Sequence, residues 1–400
     1  MLTQVVREGF SNVRRFYWDR NLLTWLVAIF ASGFIVFSSS RLHRDVLYFA
    51  VFLPFLVFST REQWRLILQN TGIRLLAALF LFLLLSLAWG PGEDQIDPFD
   101  RFRWAVLSLI YFSVVLVAAS EDSRVLVKLG LVLSIAACAA VLWSSFQFYG
   151  TANGLQGRVY NHLFYSDNPI RGSVGLAFAG ALAGLLLFTE KSLSPWMKAL
   201  FGATFVFVVL FLFLGQSRGL LLALGAAMGV AFIVHGRLKW IALGAIAVGI
   251  ALIASELLFG PGRSFIERGA TYRLDIWQAA LLPGLEAPFF GHGLSVEREI
   301  FVESVGKTFY SPHNLFLVAF LLGGLVALAL LVLLVVFAVS RAYRHRRDWE
   351  YRVVLGLIAF GVINVSLTGH EIIYRVEPHV WVSFFLPLAL AYSGQTSLRR

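Results

Sequence analysis

The chain has 400 residues, of which 58% are hydrophobic and 14% charged, and its formal net charge is +10. A soluble globule of that composition would lack the polar residues needed to cover its surface, so a water-soluble fold is excluded. The cations are spread through short loops rather than gathered into one patch, which argues against nucleic acid as a partner.

The apolar residues fall in runs of roughly 20, the length that crosses a bilayer core. They do not alternate with polar residues, as the strands of a membrane barrel would. The chain therefore reads as an all-α polytopic membrane protein with about 12 transmembrane helices. In chain order these are expected near 21–40, 46–60, 73–90, 103–119, 125–149, 169–189, 196–215, 218–235, 238–258, 313–340, 353–370 and 379–395. The second run is short and contains Pro54. The seventh and eighth are parted only by Gln216-Ser217-Arg218, as a tight hairpin or as one broken helix. The sole cysteine, Cys138, lies inside an apolar run and reads as packing. The first apolar run lacks a small-residue cleavage site, so no cleavable signal is expected.

Alternating the loops from a cytoplasmic N-terminus puts 20 of the 33 Lys and Arg inside and 13 outside, five of those 13 in one long loop. Long loops weigh little in the positive-inside rule, so both termini are expected in the cytoplasm. The organisation is one membrane domain: helices 1–9 over residues 1–258, a large outer loop over 259–312, and helices 10–12 over 313–400. The acidic loop Gly92-Glu93-Asp94-Gln95-Ile96-Asp97-Pro98-Phe99-Asp100 also falls outside.

The 259–312 loop is too long to be a simple connection. Residues 272–281 place Ile276, Trp277 and Ala280 on one helical face, and 296–305 shows a second helix-like pattern with Glu297, Glu299 and Glu303 opposite Ile300 and Phe301. Pro288-Phe289-Phe290-Gly291-His292-Gly293 between them reads as a turn. The expectation is an ordered cap with short helices at the membrane surface.

Chemistry is expected where this loop meets the next helix, at Tyr310-Ser311-Pro312-His313-Asn314. A histidine at a helix start can exchange protons at neutral pH, and the positive end of the helix favours its neutral, basic form. Asn314 is placed to support it by hydrogen bonding. Arg218 interrupts an apolar stretch, which is costly unless the side chain is paired or faces a polar cavity. Arg273, one turn before Trp277, can clamp phosphate oxygens in bidentate fashion. Arg263 and Arg268 lie in the same loop; Arg158 and Arg171 flank the outer 151–168 loop and are further cationic candidates. A base among fixed cations suits an anionic, lipid-linked substrate. Asp97 and Asp100 suggest a divalent-cation loop only faintly, and a solvated loop is the better reading. His292, between two glycines, reads as a turn residue rather than a second base. No phosphate-binding glycine loop appears, and the His and Cys spacings fit no zinc site.

Three features in order resemble the O-antigen ligase family: Gln216-Ser217-Arg218-Gly219-Leu220-Leu221-Leu222 opening a helix; Arg273, Trp277, Pro288 and Gly291-His292-Gly293 in a large outer loop; and His313-Asn314 followed by Gly324-Leu325. The resemblance is strongest over about 210–330. It implies transfer of an O-antigen polysaccharide from undecaprenyl diphosphate to a sugar hydroxyl of lipid A–core, with inversion. The site would lie on the periplasmic face of a bacterial inner membrane, without cofactor, metal or ATP. The family's histidine falls on His313, as general base, and its arginines fall on Arg218 and Arg273, as ligands of the donor diphosphate, with Arg158 and Arg171 as possible additions. The alternatives are an O-antigen polymerase or O-oligosaccharyltransferase, and, from another class, a polytopic transporter or flippase. A transporter would place its charges near the bilayer midplane in broken helices, whereas these gather at one surface.

Overall fold

A computed structural model describes residues 2–90, 97–150, 158–166, 168–236, 239, 272–294, 299–304 and 306–393. Among them, seven helices are long and apolar enough to cross a membrane, or nine if each of two bent pairs is one span. The protein is thus an all-α, multi-pass membrane protein. The expected segment 238–258, with Arg263 and Arg268, lies outside the described residues, as do Gly92 to Ile96 of the acidic loop.

The chain opens with α1 (Leu2–Asp19) and α2 (Leu22–Val36), which meet at a 62° bend across Asn21, a left-handed residue with φ 51°. The short second run folds as α3 (Ser40–Asp45), a π-helical stretch over Val46–Phe52, and α4 (Leu53–Phe58) with Pro54 in its first turn. It then turns by 106° into α5 (Arg61–Gln69). The turn is enforced by Thr60, whose hydroxyl caps the Gln63 amide while the Gln63 side chain returns to the Thr60 amide. Five long helices follow: α6 (Thr71–Leu85), α7 (Pro98–Glu121), α8 (Val125–Gly150), α9 (Pro169–Thr189) and α10 (Pro195–Leu214). A tight turn at Gly215–Ser217 then reverses into α11 (Arg218–Val234), so this connection is a hairpin between two helices.

Helix α9 is the axis of the bundle, with 89% of its apolar window buried inside the protein. Its small residues (Gly-Ser-Val-Gly-Leu-Ala-Phe-Ala-Gly-Ala) let neighbouring backbones approach closely, which is how helices gain packing energy in lipid. On outer helices, side chains such as Leu81, Phe146, Leu210 and Leu222 point outward and form the lipid-facing surface.

The outer loop supplies α12 (Arg273–Glu286), with Ile276 and Ala280 buried as the spacing predicts. The second expected helix, over 296–305, is a correction. Ile300–Val302 (β1) and Lys307–Phe309 (β2) form an antiparallel hairpin, with Ile300 opposite Phe309. Burial alternates along β1, so Ile300 and Val302 pack on Ile276, Ala280 and Leu321 while Phe301 faces out. Period-2 packing and a turn at Gly306 outweigh the helix-like spacing of the glutamates.

Helix α13 (Leu315–Arg344) is broken at Gly324, whose φ of 60° and ψ of −156° are open only to glycine. The turn 288–293 is seated in that break. His292 and Gly293 amides donate to the Leu321 and Leu322 carbonyls at 2.9 Å, and the Leu325 and Val326 amides donate to the Pro288 and Phe289 carbonyls at 2.8 and 3.3 Å. The groups freed by the break are thereby satisfied. Helix α14 (Trp349–Thr368) follows, then a strap over 369–377, α15 (Pro378–Val380), a π-helical stretch over Trp381–Phe385, and α16 (Leu386–Ser393).

Candidate active site

Three helix starts converge on one side of the bundle. Asp97 caps α7 by accepting from the Phe99 amide at 2.9 Å. Asn168 caps α9 through the Ile170 and Arg171 amides at 2.9 and 3.1 Å. Asn314 caps α13 through the Phe316 and Leu317 amides at 3.0 and 3.3 Å. Proline occupies the first turn of α7 and of α9, where its missing N–H costs nothing. Each start directs partial positive charge toward the same region.

A cavity of about 450 Å³ lies there. Its described lining includes Arg101, Arg171, Arg273 and Arg375 against two carboxylates, Glu371 and Glu377. With neutral histidines the site carries two more cations than anions, a balance suited to a multiply charged anion.

His313 stands at its edge. The helix begins at Leu315, two residues later than expected, so Asn314 is the cap and Pro312 precedes it rather than occupying the first turn. His313 has φ 52°, a left-handed conformation that costs about 1 kcal/mol or more. It is held by a bond from its amide to Ser311 Oγ (3.2 Å), by Trp277 Nε1 donating to the Pro312 carbonyl (3.0 Å), and by the Asn314 cap. Burial lowers its pKa, and Arg273 nearby lowers it further. The imidazole is therefore kept uncharged below the ordinary histidine range, chiefly by desolvation rather than by the helix end.

The other expected site residues divide into two groups. Arg273 and Arg171 line the cavity with His313. Arg273 Nε donates to the Leu367 carbonyl at 3.2 Å, and Arg171 pairs with Glu377. Arg158 does not line it: its guanidinium donates to the Gly215 and Gln216 carbonyls at 3.0 and 3.3 Å, bracing the α10–α11 turn. Arg218 also lies off the cavity wall. It opens α11 beside Gly219, where a Cβ would meet the Leu367 side chain at 3.5 Å, so the start of α11 packs on the end of α14. His292 lines the cavity, but its Nε2 is engaged at 2.7 Å with the Pro283 carbonyl, as a turn residue would be. Asp100 is engaged by Arg103 and by Trp104 Nε1, and Cys138 Sγ lies 3.3 Å from Thr204 Oγ1.

Sequence reasoning missed the strap and its partner Arg101. Arg101 of α7 pairs with Glu371 and also donates to the Ile373 carbonyl at 2.8 Å. Glu377 binds Arg171, with Arg375 Nε at 3.8 Å, and burial nonetheless pushes its carboxyl up to about 7 against both cations. Tyr165 packs on Arg171 at 5.6 Å and donates from its hydroxyl to the Val376 carbonyl at 3.3 Å. His370 meets the His313 ring edge-on. The available signal was His370-Glu371…Arg375…Glu377-Pro378-His379, a dense polar cluster between two apolar runs.

The Arg171–Glu377 pair has a thermal consequence. Arg171→Met leaves the buried Glu377 carboxylate only the longer contact to the exposed Arg375 and should cost roughly 1–3 kcal/mol of stability. Arg273→Met removes a guanidinium bonded to a backbone carbonyl and should cost less. Melting curves of the two purified variants check the order.

A family model described as O-antigen ligase matches residues 203–332, a stretch that runs from α10 through the broken helix α13. An O-antigen ligase of Pseudomonas aeruginosa is 27% identical over 379 residues, covering 93% of this chain and 89% of that protein. Both likenesses support a member of the O-antigen ligase family. The stretch matched by the family model holds Arg218, Arg273 and His313, whereas Arg101, Arg171 and the strap lie outside it.

Proposed function

We propose that this protein is a glycosyl-transferring enzyme of lipopolysaccharide biosynthesis. It would move an O-antigen polysaccharide from undecaprenyl diphosphate to a sugar hydroxyl of lipid A–core, on the periplasmic side of a bacterial inner membrane. The observation that carries the reading is the meeting of His313 with Arg273 and Arg171 in one cation-rich cavity, in a chain of this family.

The donor brings its own leaving group, so the reaction needs no ATP and no metal is assigned a step. His313 takes the proton of the acceptor hydroxyl. The acceptor oxygen then bonds to the anomeric carbon as the bond from that carbon to the diphosphate oxygen breaks. The electron pair leaves with the lipid diphosphate. Arg273 and Arg171 neutralise the charge growing there, where low dielectric makes each cation worth more than in water. One direct displacement inverts the anomeric carbon. Arg218 is assigned to the same diphosphate from the start of α11, at the edge of the site, and Arg158 serves it indirectly by bracing the turn before it.

The test is complementation of a ligase-null Gram-negative strain that still makes polymer and carries the native core, read on a lipopolysaccharide gel. Wild type should restore the polymer ladder on lipid A–core. If it does not despite good expression, and a polymerase-null strain is rescued instead, the ligase reading falls. Arg218→Ala should weaken donor use with any acceptor; unchanged donor affinity and rate would remove it from the diphosphate site.

A further inference from the structure

The cavity holds more imidazole than one general base requires. The ring centroids of His313 and His370 are 4.5 Å apart at an interplanar angle of 77°, an edge-to-face contact. His379 lies behind, its centroid 6.2 Å from that of His370. His379 is itself fixed from the bundle core. Its Nδ1 is 2.8 Å from Thr368 Oγ1. That hydroxyl also lies 2.7 Å from the Asn364 carbonyl and 3.0 Å from the Asn364 side-chain oxygen, and it donates to or accepts from the imidazole according to the tautomer of His379. Asn364 Nδ2 in turn donates to Ser383 Oγ at 2.8 Å, which ties α14 to the π-helical stretch.

We propose that His370 is a positioning residue for His313. It fixes the plane of that ring by edge-to-face contact, fills the space that would otherwise admit water beside it, and is backed by His379 and the Thr368–Asn364–Ser383 chain. The inference rests on His313 being the base. Its physical content is that His370 acts as a shaped, uncharged wall rather than as a proton carrier. Burial, then His313, then Arg171 hold the His370 pKa down to about 4, so its ring is neutral through the working range. The charged groups around the two rings are Arg273 from α12, Arg171 from α9 and Arg101 from α7. Glu371, Arg375 and Glu377 face them from the strap, and His379 from α15. Arg273 is the cation that acts on His313 directly.

The test compares His370→Ala, His370→Phe and His313→Ala in the purified full-length protein. The readout is transfer from a lipid-diphosphate-linked glycan to lipid A–core between pH 5 and 9. His370→Ala should lower kcat by about 10–100-fold through misplacement of the base, with KM for both substrates little changed. It should also move the acid limb of the rate profile up toward the ordinary histidine value of about 6.5, because water reaches the His313 ring. His370→Phe should restore most of the rate and return the acid limb, since its ring fills the same space. A dead His370→Phe that is folded by gel filtration would overturn the proposal, because the imidazole would then be doing chemistry. An unchanged rate and acid limb in His370→Ala would overturn it as well. Full activity in His313→Ala would instead sink the assignment of the base, which separates the two failures.

Discussion

His313→Ala will lower the rate of glycan transfer by about 10²–10⁴-fold, the usual contribution of a positioned general base. KM for the donor should change little, because the proposed mechanism gives the diphosphate to arginines rather than to the imidazole. The pH dependence carries the same information with a sign. Burial first and Arg273 second hold the His313 pKa below its ordinary value, so the base stays unprotonated as pH falls past about 6.5. The wild-type rate should therefore hold through that point and fall only at lower pH. Arg273→Gln removes one of the two causes and should shift the acid limb upward while also weakening donor use. A wild-type acid limb above pH 7 would show that His313 is not the group being titrated. Single-turnover rates across the pH range, for wild type and both variants, decide the matter.

Gly324→Ala will destabilise the protein by several kcal/mol and abolish transfer. The positive φ alone costs about 1–3 kcal/mol for a residue with a side chain. A Cβ there would collide with the Phe289 carbonyl. The clash would expel the 288–293 turn, and each of the four backbone hydrogen bonds seating it is worth about 1 kcal/mol. Gly291→Ala should act in the same direction from the other side of the contact. Its Cβ would lie 2.5 Å from the Gly323 and Gly324 amide nitrogens. Both effects can be read as melting temperatures in detergent beside a control such as Gly225→Ala, where a Cβ meets nothing within 4 Å. If Gly324→Ala melts with the wild type, the seated turn is not a structural element of the fold.

Much of the scaffold was legible because lipid imposes a simple rule: long apolar runs become helices. The runs that became α6 through α10 and α13 through α14 needed no further information. The turn at Pro288–Gly293 was legible from its glycines, but its seat was not, since nothing local says that Gly324, some thirty residues on, breaks a helix to receive it. The hairpin 300–309 was misread because glutamates at 299 and 303 mimic a helical face, and only packing against Ile276 and Leu321 reveals the period-2 burial. In the site, His313 and Arg273 were visible through their motifs. Arg171 was visible as a cation at a helix start, but its partner Glu377 lies some 200 residues away in sequence. Arg158 reads in the sequence as a candidate phosphate ligand, and the sequence cannot show that its guanidinium donates to the carbonyls of Gly215 and Gln216. The strap falls between the expected spans 353–370 and 379–395, and nothing local shows that Arg101 and Arg171 reach across to it.

The break in α13 also gives the loop a built-in reporter. In an unbroken helix the amides of Leu325 and Val326 would bond to carbonyls one turn earlier in α13 itself. Here they bond to Pro288 and Phe289 instead. Their exchange with deuterium is thus governed by how often the 288–293 turn lifts away, not by unwinding of the transmembrane helix that carries them. Two amides inside a membrane helix therefore measure the opening of a surface loop. A substrate that clamps the loop over the cavity should slow their exchange while leaving the rest of α13 as it was.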